Sequence, residues 1–232
     1  MLFDLRSPGR RRVIKTVYLF LAILIGVGLV GFGVGTGGSF GGLFSAAANG
    51  GGAGGTGNTK IINELKTAEK KAKASPKNAA LWAKAGVAAY AVAVLPDNYD
   101  SSLGYTTGGH AALDKMKVAW QHYLALAPSA PDISFAQEVS GAFAIPPTGI
   151  KDWSTAESAQ EIVAENDQTA QQYEYLAYYA YQAKDLTTGD QAGAKAITLA
   201  PKKQAKTLKT TLLEMRASVT GSTGASGATG ST

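Results

Sequence analysis

Two stretches of the chain close on the same phrase, Tyr123-Leu-Ala-Leu-Ala-Pro128 and Ala196-Ile-Thr-Leu-Ala-Pro201. Each ends a segment rich in aromatic and small residues, and proline cannot continue a helix. A recurring helix end of this kind marks a helical repeat, in which no single helix pair buries its apolar face without a neighbour. Such an array is suited to holding other proteins rather than to chemistry.

The spacing of apolar residues supports helices throughout the region between residues 59 and 219. Ile61, Leu65, Ala68 and Ala72 step by four, three and four, with Glu69 and Lys73 expected to pair at i,i+4 on the outside. Pro76 then breaks the chain, and Asn78 is a natural N-cap for the next helix. Ala205, Leu208, Leu212, Met215 and Val219 repeat the stripe near the C-terminus, while Lys202, Lys203, Lys206, Lys209 and Arg216 keep that helix solvated. No alternating run of Val, Ile and Thr argues for strands. The expected fold is all-α.

From Val13 to Val34 the chain carries one charge, Lys15, and is otherwise apolar or small. About 20 apolar residues at roughly 1.5 Å each cross the hydrocarbon core of a bilayer. Residues 13–35 are therefore expected to form a single transmembrane helix behind a basic N-terminus, 1–12. Arg6, Arg10, Arg11, Arg12 and Lys15 precede or open the run, and no Lys or Arg follows until Lys60. The positive-inside bias puts the N-terminus in the cytoplasm and the remainder outside it. A cleaved signal peptide is the rival reading, with Ser45-Ala46-Ala47-Ala48 as its cleavage site. The apolar run exceeds the roughly 7–15 residues of a signal core, which favours the anchor.

The formal net charge of +5 has to be read by segment. Residues 1–15 hold five cations and one acid, so the other 217 residues are nearly balanced at +1. The basicity belongs to the end of the anchor, and nucleic acid is not an expected partner. There is no cysteine, which excludes disulfides and cysteine-based metal or redox chemistry. Residues 36–58 and 220–232 are dominated by Gly, Ser, Ala and Thr. They read as a flexible linker and a disordered tail around one domain.

The segment Trp82-Ala-Lys-Ala85-Gly86-Val-Ala-Ala89-Tyr90 resembles the first helix of a tetratricopeptide (TPR) repeat, W-x2-L-G-x2-Y. Its second helix is expected from Ala111 to Ala127, packing through Met116, Trp120 and Tyr123. A second match needs no gaps: Tyr173, Leu176, Ala177, Ala180 and Tyr181 are followed by Gly189, Gly193, Ala196 and Pro201. Bulky residues on one helix would fill notches left by Gly and Ala on its partner. The first unit carries about 18 extra residues between its helices, around 95–110. Pro128 and Pro201 stand 73 residues apart. That leaves room for a middle unit that departs from the pattern, with Phe135, Phe143, a Pro146-Pro147 turn, Trp153 and Ile162. The whole layout is similar to membrane-anchored TPR proteins of bacterial envelopes, and it implies a TPR-like α-solenoid over 59–219.

The resemblance implies a concave groove lined by the first helix of each repeat. Carried over, the partner-binding positions are Lys84 and Val87 in the first unit and Glu174, Tyr178 and Gln182 in the third. Tyr175 joins Tyr178 as an aromatic surface for an extended peptide, within a run holding five of the chain's 10 tyrosines. Only Lys84 among these positions is cationic, so capture of a C-terminal carboxylate is not expected.

No catalytic, cofactor-binding or metal-binding residues are expected. Gly26-Val-Gly28-Leu-Val-Gly31 fits a dinucleotide fingerprint but lies within the apolar span with no strand before it. There, with Gly31 and Gly35, it reads as a close-approach motif that would allow homodimerisation in the membrane. Gly54-Gly-Thr-Gly57 lacks the Gly-Lys-Thr order of a phosphate loop. His110 and His122 have no metal-ligand spacing, and Asp97-Asn-Tyr-Asp100 offers too few oxygens for a calcium loop. The expected function is a non-enzymatic, membrane-anchored extracytoplasmic adaptor that binds a protein or peptide. The alternatives are a dimeric tether without a groove ligand, or an accessory subunit of an envelope enzyme acting through residues 95–110.

Overall fold

The computed structural model describes residues 56–145 and 149–221. The expected anchor at 13–35, its basic flank, most of the linker and tail, and the Pro146-Pro147 turn lie outside the described residues. Among those described, no helix is long and apolar enough to cross a membrane.

The described residues form an all-α fold of eight helices. They are α1 (Thr56–Ala74), α2 (Ala79–Ala93), α3 (Thr107–Ala125), α4 (Ile133–Phe143), α5 (Trp153–Asn166), α6 (Ala170–Ala183), α7 (Leu186–Leu199) and α8 (Lys202–Thr220). One small hairpin, β1 (Tyr99–Asp100) with β2 (Gly104–Tyr105), interrupts the loop between α2 and α3. The first helix begins within the stretch read as linker, and the last takes in Thr220 before Gly221 turns left-handed at φ 68°.

Helix starts follow local chemistry. Asn78, Thr106, Asp132, Asp152, Thr169 and Asp185 each accept a bond from a backbone N–H in the first turn of the helix that follows. These caps satisfy donors that a helix leaves orphaned. The start of α3 is therefore Thr107, four residues before the expected Ala111, because Thr106 caps it. The expected Glu69–Lys73 pair is replaced by a longer-range one: Glu69 meets Lys115 of α3 at 3.1 Å, tying α1 to the bundle.

The helices pack as three successive pairs, α2 with α3, α4 with α5 and α6 with α7. Neighbouring pairs meet through α2–α4, α3–α4 and α5–α6, and α8 rests on both α6 and α7. Leu113, Met116, Trp120, Phe135, Val139 and Phe143 form the fully buried centre, which runs continuously from α1 to α5. Tyr179 reaches into it from α6. The expected packing residues Met116, Trp120, Tyr123, Tyr173, Leu176 and Tyr181 are all buried.

Two glycines let rings in. A methyl group on Gly86 of α2 would overlap the Phe135 ring of α4, and one on Gly189 of α7 would overlap the Tyr181 ring of α6. The first notch joins two helix pairs; the second closes one. A polar relay crosses the seam between the second and third pairs. Ser140 Oγ donates to Gln160 Oε1 at 2.8 Å, and Gln160 Nε2 donates to Gln172 Oε1 at 2.8 Å, linking α4, α5 and α6. Such a buried relay is favourable only because each member is satisfied.

Candidate partner-binding face

The exposed side of α6 is built by its own periodicity. Tyr173, Leu176, Ala177, Ala180 and Tyr181 are buried, which turns Glu174, Tyr175, Tyr178 and Gln182 toward the opposite, half-buried side. All four positions named for this helix thus share one face. On α2, Lys84 is exposed, whereas Val87 is half-buried and packs against the core. The two sets lie on different helices, with α4 touching α2 and linked to α6 through the Tyr179 hydroxyl and Ser140.

The tyrosines of α6 are not isolated. Trp153, at the start of α5, meets Tyr178 edge-on at 5.7 Å between ring centroids and Tyr179 at 6.0 Å. Tyr175 stacks on Tyr179 at 6.3 Å. Tyr179 is buried, while Trp153, Tyr175 and Tyr178 are each half-buried. The result is an aromatic ledge fixed from below and open above. Fixed rings lose little freedom on binding, which makes them good anchors. Trp153 had no place among the positions inferred from the repeat, because it belongs to the pair that departs from the pattern.

Carboxylates are the second component. Glu174 is half-buried, which raises its pKa, and no cation or hydrogen-bond donor engages it among the described residues. Glu138 of α4 goes further. Its Oε2 is closed off from solvent without a hydrogen-bond partner, and burial, reinforced by the Asp132 carboxylate, pushes its pKa up to about 8. Glu138 in turn acts on Tyr90 of α2, whose hydroxyl is raised to about 12 by burial first and by Glu138 second. The Tyr90 hydroxyl bonds that of Tyr105, so the inserted hairpin leans on the end of α2 beside Glu138. Sequence reasoning missed Glu138: a lone acid in α4 has no spacing partner that would single it out.

The ion pairs among the described residues lie elsewhere. Lys115 joins α3 to Glu69 of α1, Lys117 joins α3 to Asp152 at the cap of α5, and Arg216 of α8 meets Asp190 of α7 at 2.8 Å. Asp152 shows the contrast: burial alone would raise its pKa, but the Lys117 ammonium and the Thr155 bonds win and hold it low. A second acidic group, Glu157, Glu161 and Glu165 with Asp185, runs along the outer side of α5. Burial and mutual repulsion raise Glu157 to about 7.

The insert carries an open depression of about 510 Å³ lined by Ser101, Leu103, Tyr105, His110 and Gly149 among others. Leu103 stands 89% exposed at its rim. His110 is exposed and packs edge-on to Tyr105, and His122 stacks on Trp82 at 4.0 Å. Among the described residues no three His, Cys, Asp or Glu side chains converge as a metal site would require. Asp100 caps its own turn by accepting from the backbone N–H groups of Ser102 and Leu103.

Comparison with protein-family models, with curated proteins and with solved structures returns no match. The resemblance to TPR helix pairs therefore rests on the chain's own residues.

Proposed function

We propose that this protein is a membrane-anchored scaffold of TPR type, held by residues 13–35 with its helical domain outside the cytoplasm, that binds a protein or peptide along α2, α4 and α6. The observation that carries this reading is the ledge of Trp153, Tyr175 and Tyr178, half-buried and braced by Tyr179, on the open face of α6. Three successive helix pairs with ring-into-notch packing at Gly86 and Gly189 support the repeat assignment. The apolar run and its asymmetric cations support the anchor.

The test is a crosslinking pull-down from native membranes with the full-length protein and a Tyr178→Ala, Glu174→Ala double variant. The reading predicts a defined partner recovered with the wild type and lost from the variant. Equal recovery from both would move the site away from α6.

A further inference from the structure

We propose that the α2–α4–α6 face recognises a basic segment of its partner, receiving Arg or Lys side chains at two separate points: Glu138 beside Tyr90, and Glu174 beside the Tyr175–Tyr178 ledge. This rests on the function proposed above and adds the chemistry of the ligand.

Each of the two carboxylates lacks a partner among the described residues. A buried polar atom without a partner costs free energy, so native structures leave few of them. Among the described residues, Glu138 Oε2 is the one side-chain nitrogen or oxygen found closed off from solvent and unsatisfied. The groups around it worsen its position. The Asp132 carboxylate at the cap of its helix repels it, and Tyr90 from α2, with Tyr105 and Tyr99 of the insert behind it, supplies no positive charge. Glu174 is likewise half-buried, and burial is the cause of its perturbation, with no counter-ion nearby.

The chain does not lack cations for such a purpose. Lys115, Lys117 and Arg216 are each committed to an acid that holds two helices together. Lys84, the one cation at the inferred groove positions, is exposed and enters no ion pair among the described residues. The two acids on this face are thus left for an external cation. A guanidinium or ammonium is what both subsites suit. It supplies donors to both carboxylates once the half-buried Glu138 side chain turns its closed-off oxygen outward, and its charge is attracted by tyrosine rings. Guanidinium is the better fit, because its planar fork bonds a carboxylate while lying against a ring. An acidic or C-terminal carboxylate ligand would meet the same two anions and be repelled.

The same geometry gives the recognition a pH dependence. Glu138 must release its proton to receive a cation, and its carboxyl titrates near pH 8 in the free protein. Binding therefore tightens as pH rises from about 6 to about 9, with proton release that grows toward the lower pH.

The experiment uses the full-length protein in detergent and a short extended peptide of Arg, Ser and Gly, with counterparts carrying Gln or Glu in place of Arg. Affinities are read by calorimetry in buffers of different ionisation heat, alongside thermal melts of every variant. The expected result is binding of the Arg peptide only. Glu138→Gln and Glu174→Gln should each weaken it at least about tenfold, and Glu138→Gln alone should flatten the pH profile. A Glu161→Gln, Glu165→Gln double variant on the outer side of α5 should bind as the wild type does. Equal binding of the Gln peptide would overturn the charge assignment while leaving α6 a docking face. Loss of binding on substituting the α5 acids, with none on substituting Glu138 and Glu174, would place the basic ligand elsewhere and overturn the proposal. Absence of any Arg-peptide binding, in a protein whose native partner is still lost on Tyr178→Ala, would overturn the proposal and leave the proposed function standing. The same absence with the native partner retained would overturn both.

Discussion

Tyr90 and Tyr181 occupy the same place in their helices, each eight residues after the aromatic that opens the packing stripe, Trp82 or Tyr173. Each hydroxyl also stands beside a carboxylate, and there the likeness ends. Tyr181 donates to Asp190 at 3.0 Å, and Asp190 is held by Arg216, so the third pair closes a neutral, partly exposed network with α8. Tyr90 bonds Tyr105 and lies by Glu138, a half-buried acid that no cation pairs with among the described residues. The two tyrosines thus differ in whether a cation neutralises the neighbouring acid. Asp190 is committed to holding the last helix, whereas Glu138 keeps its proton near neutral pH and has an oxygen without a partner.

The largest effect that bears on this contrast comes from the seam beside Tyr90. Phe135 is fully buried in the notch at Gly86, edge-on to Trp120 and Tyr123. Phe135→Ala should cost about 3–5 kcal/mol in denaturant unfolding, because the first and second pairs lose their shared ring. Smaller losses, of about 1–3 kcal/mol, are expected for Gly86→Ala and Gly189→Ala, since each new methyl meets a ring. The two should differ in rescue. Phe135→Leu should recover part of the Gly86 loss and none of the Gly189 loss, which a double-mutant cycle would show.

The carboxylates should respond with opposite signs. The folded pKa of Glu138, about 8, lies above its ordinary value of 4.5. The folded state therefore holds a proton that the unfolded state gives up, and stability falls as pH rises between those values. Glu138→Gln should raise stability by more than about 1 kcal/mol at pH 8, a gain that shrinks toward pH 5 in thermal melts. Asp190→Asn should instead lower it by less than about 1 kcal/mol, since Asp190 and Arg216 are both well exposed and salt screens them. Of similar size and opposite sign is Lys184→Gly. Lys184 turns left-handed at φ 67° to close α6, and glycine there should gain up to about 1 kcal/mol.

Much of this was legible beforehand, and the reasons differ by residue. Asn78 as a cap, the Leu65 and Ala72 stripe, and the fit of Tyr181 to Gly189 are local or fixed-spacing signals, and the structure bears them out. The inserted hairpin was not legible, because two-residue strands leave no alternating pattern. The start of α3 was hidden by Gly108 and Gly109, which read as loop. Gly109 is there because any larger residue would strike the Asn98 carbonyl, a tertiary fact. Glu69 chose Lys115 over Lys73 for the same kind of reason. At the candidate face, the α6 positions came from the TPR resemblance, and the burial of Tyr173, Leu176 and Tyr181 leaves them on one side of the helix. Trp153 and Glu138 come from the pair that fits the repeat least, and only packing brings them to the site.

The most direct test of the account is site-specific photocrosslinking in intact membranes, with the probe placed singly at positions 178, 137, 84 and 165. Positions 84, 137 and 178 sample the face of α2, α4 and α6, while Glu165 lies exposed on the outer side of α5. The account predicts one discrete adduct of the same partner from 84, 137 and 178, and none from 165. An adduct from 165 with none from the other three would contradict it, and would make the outer acidic side of α5 the surface at which this protein works.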